Sequence, residues 1–139
     1  MSSGLIYRSC LYDTLSGGIN FQADRFGVML CTKEYEPDLK AHTRRSDVYG
    51  EVEAEGYKPG GLRASVAIDY SADGEGLDIS LGGARWSRAD INAGYAVYFR
   101  MNGGDPSDDE LVAVIDFERN VVSSGGTFVL SESTIRVGA

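Results

Sequence analysis

Short stretches of this chain alternate between apolar and polar positions with a period of two, which is typical of β-strands. In residues 64–70 every second side chain is apolar, so Val66 and Ile68 share one face of a predicted strand. Residues 25–32 are apolar at nearly every position, which predicts a strand buried on both faces. The pattern therefore indicates a β-rich chain.

Glycine-rich turns separate further extended segments along the chain. The pattern predicts strands at 77–81, 84–86, 93–101, 111–118, 127–131 and 135–137. Segments 93–101 and 111–118 are expected to form a hairpin around the acidic loop 102–110. Regularly spaced short strands without intervening helices predict an all-β fold, either an antiparallel β-sandwich or a barrel-like domain.

The N-terminal region shows a helical period instead. Tyr7, Leu11 and Leu15 recur every four residues and would line one stripe of a short helix that ends at Gly17. We therefore predict one domain over residues 1–139, with an N-terminal helical segment at 1–18 and a β-sandwich at 19–139. A chain of 139 residues has the usual size of one domain.

A row of glutamates precedes the Pro59-Gly60-Gly61 turn. Glu51, Glu53 and Glu55 occupy every second position, so on a strand they would share one face. Such a face does not enter an apolar core, and charged edge strands also resist unwanted pairing. The row is predicted to be an edge strand that faces either water or a basic partner.

A long polar loop, 34–49, contains the only pair of adjacent basic residues that could contact an acidic partner. Arg44 and Arg45 are expected to be solvated, with partner contact as the alternative. His42 lies in the same loop and is expected to be exposed rather than catalytic.

Composition narrows the classes of partner. The formal net charge of -8 and the pI of about 4.5 oppose nucleic-acid binding, which depends on clustered cations. The apolar runs are much shorter than the ~20 residues that cross a bilayer, so no membrane partner is expected. The N-terminus lacks the pattern of a secretory signal, which predicts assembly in the cytoplasm. Cys10 and Cys31 are predicted to be reduced core residues.

Candidate chemistry is sparse, and we expect no enzyme, no cofactor and no metal site. The acidic loop 102–110 is interpreted as a solvated hairpin tip, with weak cation binding as the alternative. The glutamate row is a weak candidate for the two carboxylates of a glycosidase. Aromatic residues could form a sugar platform or belong to the core, and we favour the core. These residues are Tyr57, Trp86, Tyr95 and Tyr98.

The order of features resembles that of small structural proteins of tailed bacteriophages. The resemblance rests on 24–30 (DRFGVML), 56–61 (GYKPGG), 86–87 (WS), 95–99 (YAVYF), 111–117 (LVAVIDF) and 126–130 (GTFVL). It implies a virion protein without catalytic residues, either a head decoration or cement subunit or a neck, head-completion or tail subunit. The expected partners are further copies of the chain and the major capsid or other virion proteins. The longer acidic loop departs from the pattern and leaves the partner surface open.

A carbohydrate-binding module or receptor-binding tip is the alternative outside this class, and an exposed Trp86 would be its mark. A hydrolase is a third hypothesis, which needs two opposed carboxylates in a cleft. The predicted core contains Phe26, Val28, Leu30, Val66, Ile68, Trp86, Val97, Phe99, Ile115, Phe117 and Phe128.

Overall fold

The computed structural model describes residues 3–137, which form antiparallel β-structure with one short α-helix. The predicted all-β fold with a short N-terminal helix is confirmed. In chain order the elements are β1 (Ser3–Ile6), α1 (Arg8–Leu15), β2 (Phe26–Cys31), β3 (Leu62–Ala64), β4 (Val66–Tyr70), β5 (Leu77–Leu81), β6 (Ala84–Ala89), β7 (Asn92–Arg100), β8 (Leu111–Val122), β9 (Gly126–Leu130) and β10 (Ser133–Val137).

The described strands form three sheets. The central sheet has the order β1-β8-β7-β2-β3, a second sheet has the order β10-β5-β4, and β6 pairs with β9. β7 and β8 form the predicted hairpin, with Val97 opposite Val114 and register shifts at two places. The smaller sheets supply core residues such as Ile79, Trp86 and Phe128 to the same cluster as β2 and β8.

The middle strands of the central sheet are buried on both faces. In β2, Val28 and Leu30 belong to the larger apolar cluster, while Met29 and Cys31 belong to a second cluster on the other face. The prediction of a doubly buried strand is therefore confirmed.

The second face of the central sheet is covered by the long loop that follows β2. Tyr35 is fully buried there, and Leu39 and Val48 pack against the same cluster. The sequence predicted a polar loop, but Tyr35, Leu39 and Val48 turn inward, while Tyr49 stays exposed. This loop takes the place that a further sheet would have on this face.

Residues 64–70 do not form one strand, as the alternation predicted. Ala64 ends β3 in the central sheet and Val66 begins β4 in the second sheet. Between them the Ser65 carbonyl accepts the Gly82 N–H at 2.7 Å, which commits the chain to β5 from this point. β4 then runs beyond the core, so Ile68 is 37% exposed, and its prediction as a core residue is wrong. The other predicted core residues are buried.

The N-terminal segment differs from the prediction in two respects. β1 pairs with β8, so residues before the helix belong to the central sheet rather than to a separate helical segment. In α1 the buried side chains are Cys10 and Asp13, whereas Leu11 and Leu15 are exposed. The expected stripe fails because Tyr7 lies in extended backbone at the N-cap and is not part of the helix.

Candidate partner-binding surfaces

The glutamate-rich segment is not an edge strand, which corrects the prediction for Glu51, Glu53 and Glu55. Its backbone pairs with β2 only through an isolated bridge between Cys31 and Glu51 among the described residues, and the Val52 N–H donates to the Leu30 carbonyl. Gly50 and Gly56 have positive φ angles and turn the chain on either side, so the regular alternation of a strand does not develop.

Glu51 points inward and holds the following turn. One of its carboxylate oxygens, Oε2, accepts hydrogen bonds from the Tyr57 hydroxyl at 2.5 Å and from the Gly60 N–H at 2.7 Å. Burial and the Glu51 carboxylate together raise the pKa of Tyr57. The turn itself requires glycine, because Gly61 has φ +71° and a Cβ there would lie 1.9 Å from the Val28 carbonyl oxygen.

Glu53 and Glu55 remain exposed, and Glu53 contributes to an acidic groove between two loops. We define the acidic groove by Glu34, Tyr49, Glu51, Glu53 and Pro59, which line a space of about 540 Å³. The negative charge of this groove suits a basic partner. Glu51 and Glu53 therefore still belong to an acidic surface, although they do not form an edge strand.

Arg44 and Arg45 are both engaged within the chain, contrary to the expectation of a solvated pair. The Arg45 Nε lies 2.8 Å from Oδ2 of the buried Asp109, and its guanidinium lies over the Phe99 ring. Arg44 lies 3.5 Å from Asp13. Burial raises the pKa of Asp13, and the Arg44 charge opposes that rise. The two arginines therefore fasten the long loop to other elements.

His42 is half-buried and also belongs to the loop's internal structure. Its Nδ1 accepts the Asp38 N–H at 3.2 Å and lies 3.0 Å from the Tyr35 hydroxyl, which in turn lies 2.6 Å from the buried Tyr7 hydroxyl. The rings of Tyr35 and His42 are stacked. This chain of hydrogen bonds anchors the loop to Tyr7, between β1 and α1, so the expectation of an exposed histidine is wrong.

The acidic loop 102–110 is only partly a solvated tip. Asp109 is buried, and its carboxylate accepts hydrogen bonds from Arg45 Nε and from the Asn102 N–H. Glu110 forms an ion pair with Arg100. Asp105 caps a short 3₁₀ turn by accepting the Ser107 N–H, which lowers its pKa. Over residues 3–137 no group of three or more His, Cys, Asp or Glu side chains is arranged to hold a metal ion.

Three of the four aromatic residues considered for a sugar platform lie in the core. Tyr57, Trp86 and Tyr98 are buried, and Trp86 packs edge-on against Phe128. Tyr95 is half-buried beneath Lys33. Cys10 and Cys31 are buried free thiols that form no disulfide, as predicted.

Two apolar surfaces are exposed that the sequence did not indicate. The helix face consists of Leu11, Tyr12 and Leu15, which are 42%, 73% and 88% exposed. The β4 edge consists of Ile68 and Tyr70, which is 81% exposed. Of these residues only Ile68 was predicted to lie in the core, and all five are exposed apolar side chains of the kind that mark interaction surfaces.

Next to the helix face lies a basic groove of about 480 Å³. We define it by Arg8, Tyr12, Lys40 and Arg44, and Asp13 also lines it. In an acidic chain this groove is a candidate contact for a carboxylate-rich partner.

The described part of the chain contains no helix with the length and hydropathy needed to span a membrane. Comparison of the chain with protein families, with curated proteins and with solved structures gives no significant match.

Proposed function

We propose that this chain is a non-enzymatic structural protein of a tailed-phage virion, a capsid decoration or cement subunit that binds the outside of the assembled shell. The observation that carries the proposal is the exposure of large apolar side chains on two separate surfaces, the helix face and the β4 edge. Large exposed apolar patches mark interaction sites in soluble proteins. A subunit that contacts both its own copies and a shell needs more than one such surface.

The sequence resemblance supports the same class of protein. Its segments correspond to β2, the turn after Glu51 and parts of the strands β6, β7, β8 and β9. Assembly in the host cytoplasm and residence in the virion follow from this proposal. The partners are further copies of the chain and the major capsid protein.

A neck, head-completion or tail subunit is the nearest alternative, since the same surfaces would serve there. Copy number distinguishes these locations. A decoration protein follows the repeat of the shell, whereas a neck, head-completion or tail subunit occupies only the tail-bearing part of the particle. The carbohydrate-binding alternative lacks its expected mark, because the Trp86 ring is buried.

The proposal is tested by co-sedimentation of the purified chain with assembled particles and, separately, with free capsid subunits. We expect binding to particles at a stoichiometry that follows the shell repeat. Binding to free subunits should be much weaker, because several contacts act together only on the assembled shell. Replacing Leu15 by Glu should weaken particle binding. The matched control is Val129→Glu, at a 50% exposed position of β9 away from the helix face.

Three outcomes would contradict the proposal. These are no binding to particles, equal affinity for free and assembled subunits, and equal loss of binding in the Leu15 and Val129 variants. Binding at a few copies per particle would favour the neck or tail location instead.

A further inference from the structure

The outer edge of β4 is open. Within residues 3–137 β4 pairs with β5 alone, at the end of the sheet β10-β5-β4. Its residues from Ala67 to Tyr70 are exposed. Open strand edges pair readily with other strands unless charge, proline or a bulge prevents it.

The direction of each backbone group in β4 follows from the hydrogen bonds at its two ends. The Gly82 N–H donates to the Ser65 carbonyl at 2.7 Å, and the Ser71 N–H donates to the Gly76 carbonyl at 2.8 Å. In an antiparallel pair the backbone groups of alternate residues point to the same neighbour. The odd-numbered residues therefore face β5, and Val66, Ile68 and Tyr70 direct their N–H and C=O groups to the unpaired side of β4, which is exposed at Ile68 and Tyr70 and buried at Val66. The Tyr70 N–H is meanwhile held by the Asp69 side chain at 2.8 Å.

We propose that β4 pairs antiparallel with β4 of a second copy of this chain, about a two-fold axis at Ile68. In this register Ile68 lies opposite Ile68 of the second copy, and Val66 lies opposite Tyr70. These are the residues whose backbone groups face away from β5, so the Ile68 pair exchanges both hydrogen bonds. The two Val66–Tyr70 pairs do the same once the Tyr70 N–H leaves the Asp69 side chain. The contact is isologous, closes as a dimer and joins two three-stranded sheets into one.

Charge selects this register over its neighbour. With the axis at Ile68, Asp69 lies opposite Ala67 of the second copy. Moving the axis by one residue to Asp69 also preserves the hydrogen-bonding pattern, but it places two carboxylates directly opposite each other, which is unfavourable. Moving it to Ala67 leaves Tyr70 opposite Ala64, which already belongs to β3 in the other sheet. The axis at Ile68 uses all five residues of β4.

The surface beside Val66 can receive the Tyr70 side chain. A groove of about 440 Å³ lies at this end of β4, and Phe26, Ala64 and Val66 line it together with the cation of Arg63. Because Tyr70 of the second copy lies opposite Val66, the proposed register brings its ring next to this groove. An aromatic ring next to a β-branched residue and a guanidinium is a favourable contact. Tyr70, which is 81% exposed in the single chain, would thus be covered by an identical chain.

The identical copy is the occupant that these observations favour, since hydrogen-bond direction, charge and groove all match when β4 meets itself. This dimer does not depend on the virion role, which the particle-binding experiment tests separately.

The test uses the full chain in analytical ultracentrifugation over a range of concentrations. In the dimer each Ala67 faces Asp69 of the second copy, and the contact occurs twice. Ala67→Lys should therefore tighten the dimer and Ala67→Asp should weaken it, each by about two- to thirtyfold in Kd. Thr134→Lys and Thr134→Asp are the matched controls, because Thr134 is exposed on β10 of the same sheet and should leave the Kd unchanged.

A second measurement locates the axis. Ile68→Cys should form a disulfide-linked dimer under mild oxidation, since it faces its own copy, whereas Thr134→Cys should not. The native cysteines are buried and do not interfere. A chain that stays monomeric at every concentration would overturn the proposal. A dimer whose Kd does not change with the charge at position 67 would also overturn it. The same holds for a dimer that cross-links through Thr134→Cys as well as through Ile68→Cys.

Discussion

The hydroxyl of Tyr57 donates a hydrogen bond to Oε2 of Glu51 at 2.5 Å, and its oxygen accepts the backbone N–H of Leu30 at 3.0 Å. This pair connects the glutamate-rich segment to β2 and so replaces the edge strand that the glutamate row predicted. Because Leu30 is buried, its N–H depends on this partner.

Removing the Tyr57 hydroxyl should therefore destabilise the fold. We expect Tyr57→Phe to lower the free energy of unfolding by about 1–3 kcal/mol, since a buried N–H and a carboxylate each lose a partner. Urea titration measures the change. The control is Glu53→Gln, which should change stability by less than about 0.5 kcal/mol because Glu53 is exposed. Equal effects of the two variants would show that the Tyr57 contact contributes nothing to stability.

Truncation should lower the free energy of unfolding more at a buried strand position than at an exposed one, although the alternating pattern placed both in the core. Phe117 is 8% exposed, so Phe117→Ala should cost about 3–5 kcal/mol through lost transfer energy and the cavity left behind. Ile68→Ala should cost less than about 1 kcal/mol in the monomer because Ile68 is already 37% exposed. Denaturant titration at low protein concentration compares them, and a loss under about 1 kcal/mol for Phe117 would contradict its burial.

The loop 34–49 should depend on the hydroxyl of Tyr35. Tyr35→Phe removes the partner of the buried Tyr7 hydroxyl and of His42 Nδ1, which should cost about 1–3 kcal/mol. It should also increase hydrogen exchange at the Asp38 and His42 amides. Tyr49→Phe is the control, because Tyr49 is exposed and bonds only to the Glu36 N–H among the described contacts. Unchanged exchange in Tyr35→Phe would show that the loop is held by packing alone.

The two thiols should be inert while the chain is folded. Burial raises the pKa of Cys10 to about 11 and that of Cys31 to about 12. Reaction with Ellman's reagent at pH 8 should be slow in buffer and complete in denaturant, because the thiolate is the reacting form. Rapid reaction of either thiol in buffer would contradict its burial.

Asp47 should contribute to the loss of stability in acid. The backbone N–H groups of Thr43 and Arg44 lower its pKa below the ordinary 3.8. A carboxylate whose pKa is lower in the folded state stabilises the fold above its unfolded pKa, and this contribution disappears as the pH falls through the folded value. Asp47→Asn should flatten the decline in thermal stability below about pH 4. Asp108→Asn, at an exposed position of the loop 102–110, is the comparison, and the same flattening there would contradict a specific role for Asp47.

The class of fold was readable from the sequence because strand alternation and glycine turns are local properties. Residues 77–81 and the hairpin of 93–101 with 111–118 were predicted for that reason, and the double burial of β2 followed from its unbroken apolar run. Alternation also assigns side chains to faces, so Val66 and Ile68 were correctly placed on the same one.

Only the tertiary structure decided which of those faces is covered. Ile68 and Tyr70 share the face of Val66 but lie where β4 has passed the end of the core, and Leu15 extends from a helix whose anchor is Cys10. Likewise, whether a charged side chain is paired depended on what the fold brings next to it. Arg45 pairs with Asp109, 64 positions away, and Glu51 accepts the Tyr57 hydroxyl, whereas Glu53 is exposed to solvent. Periodicity records the direction of a side chain, and burial depends on what the rest of the chain brings against it.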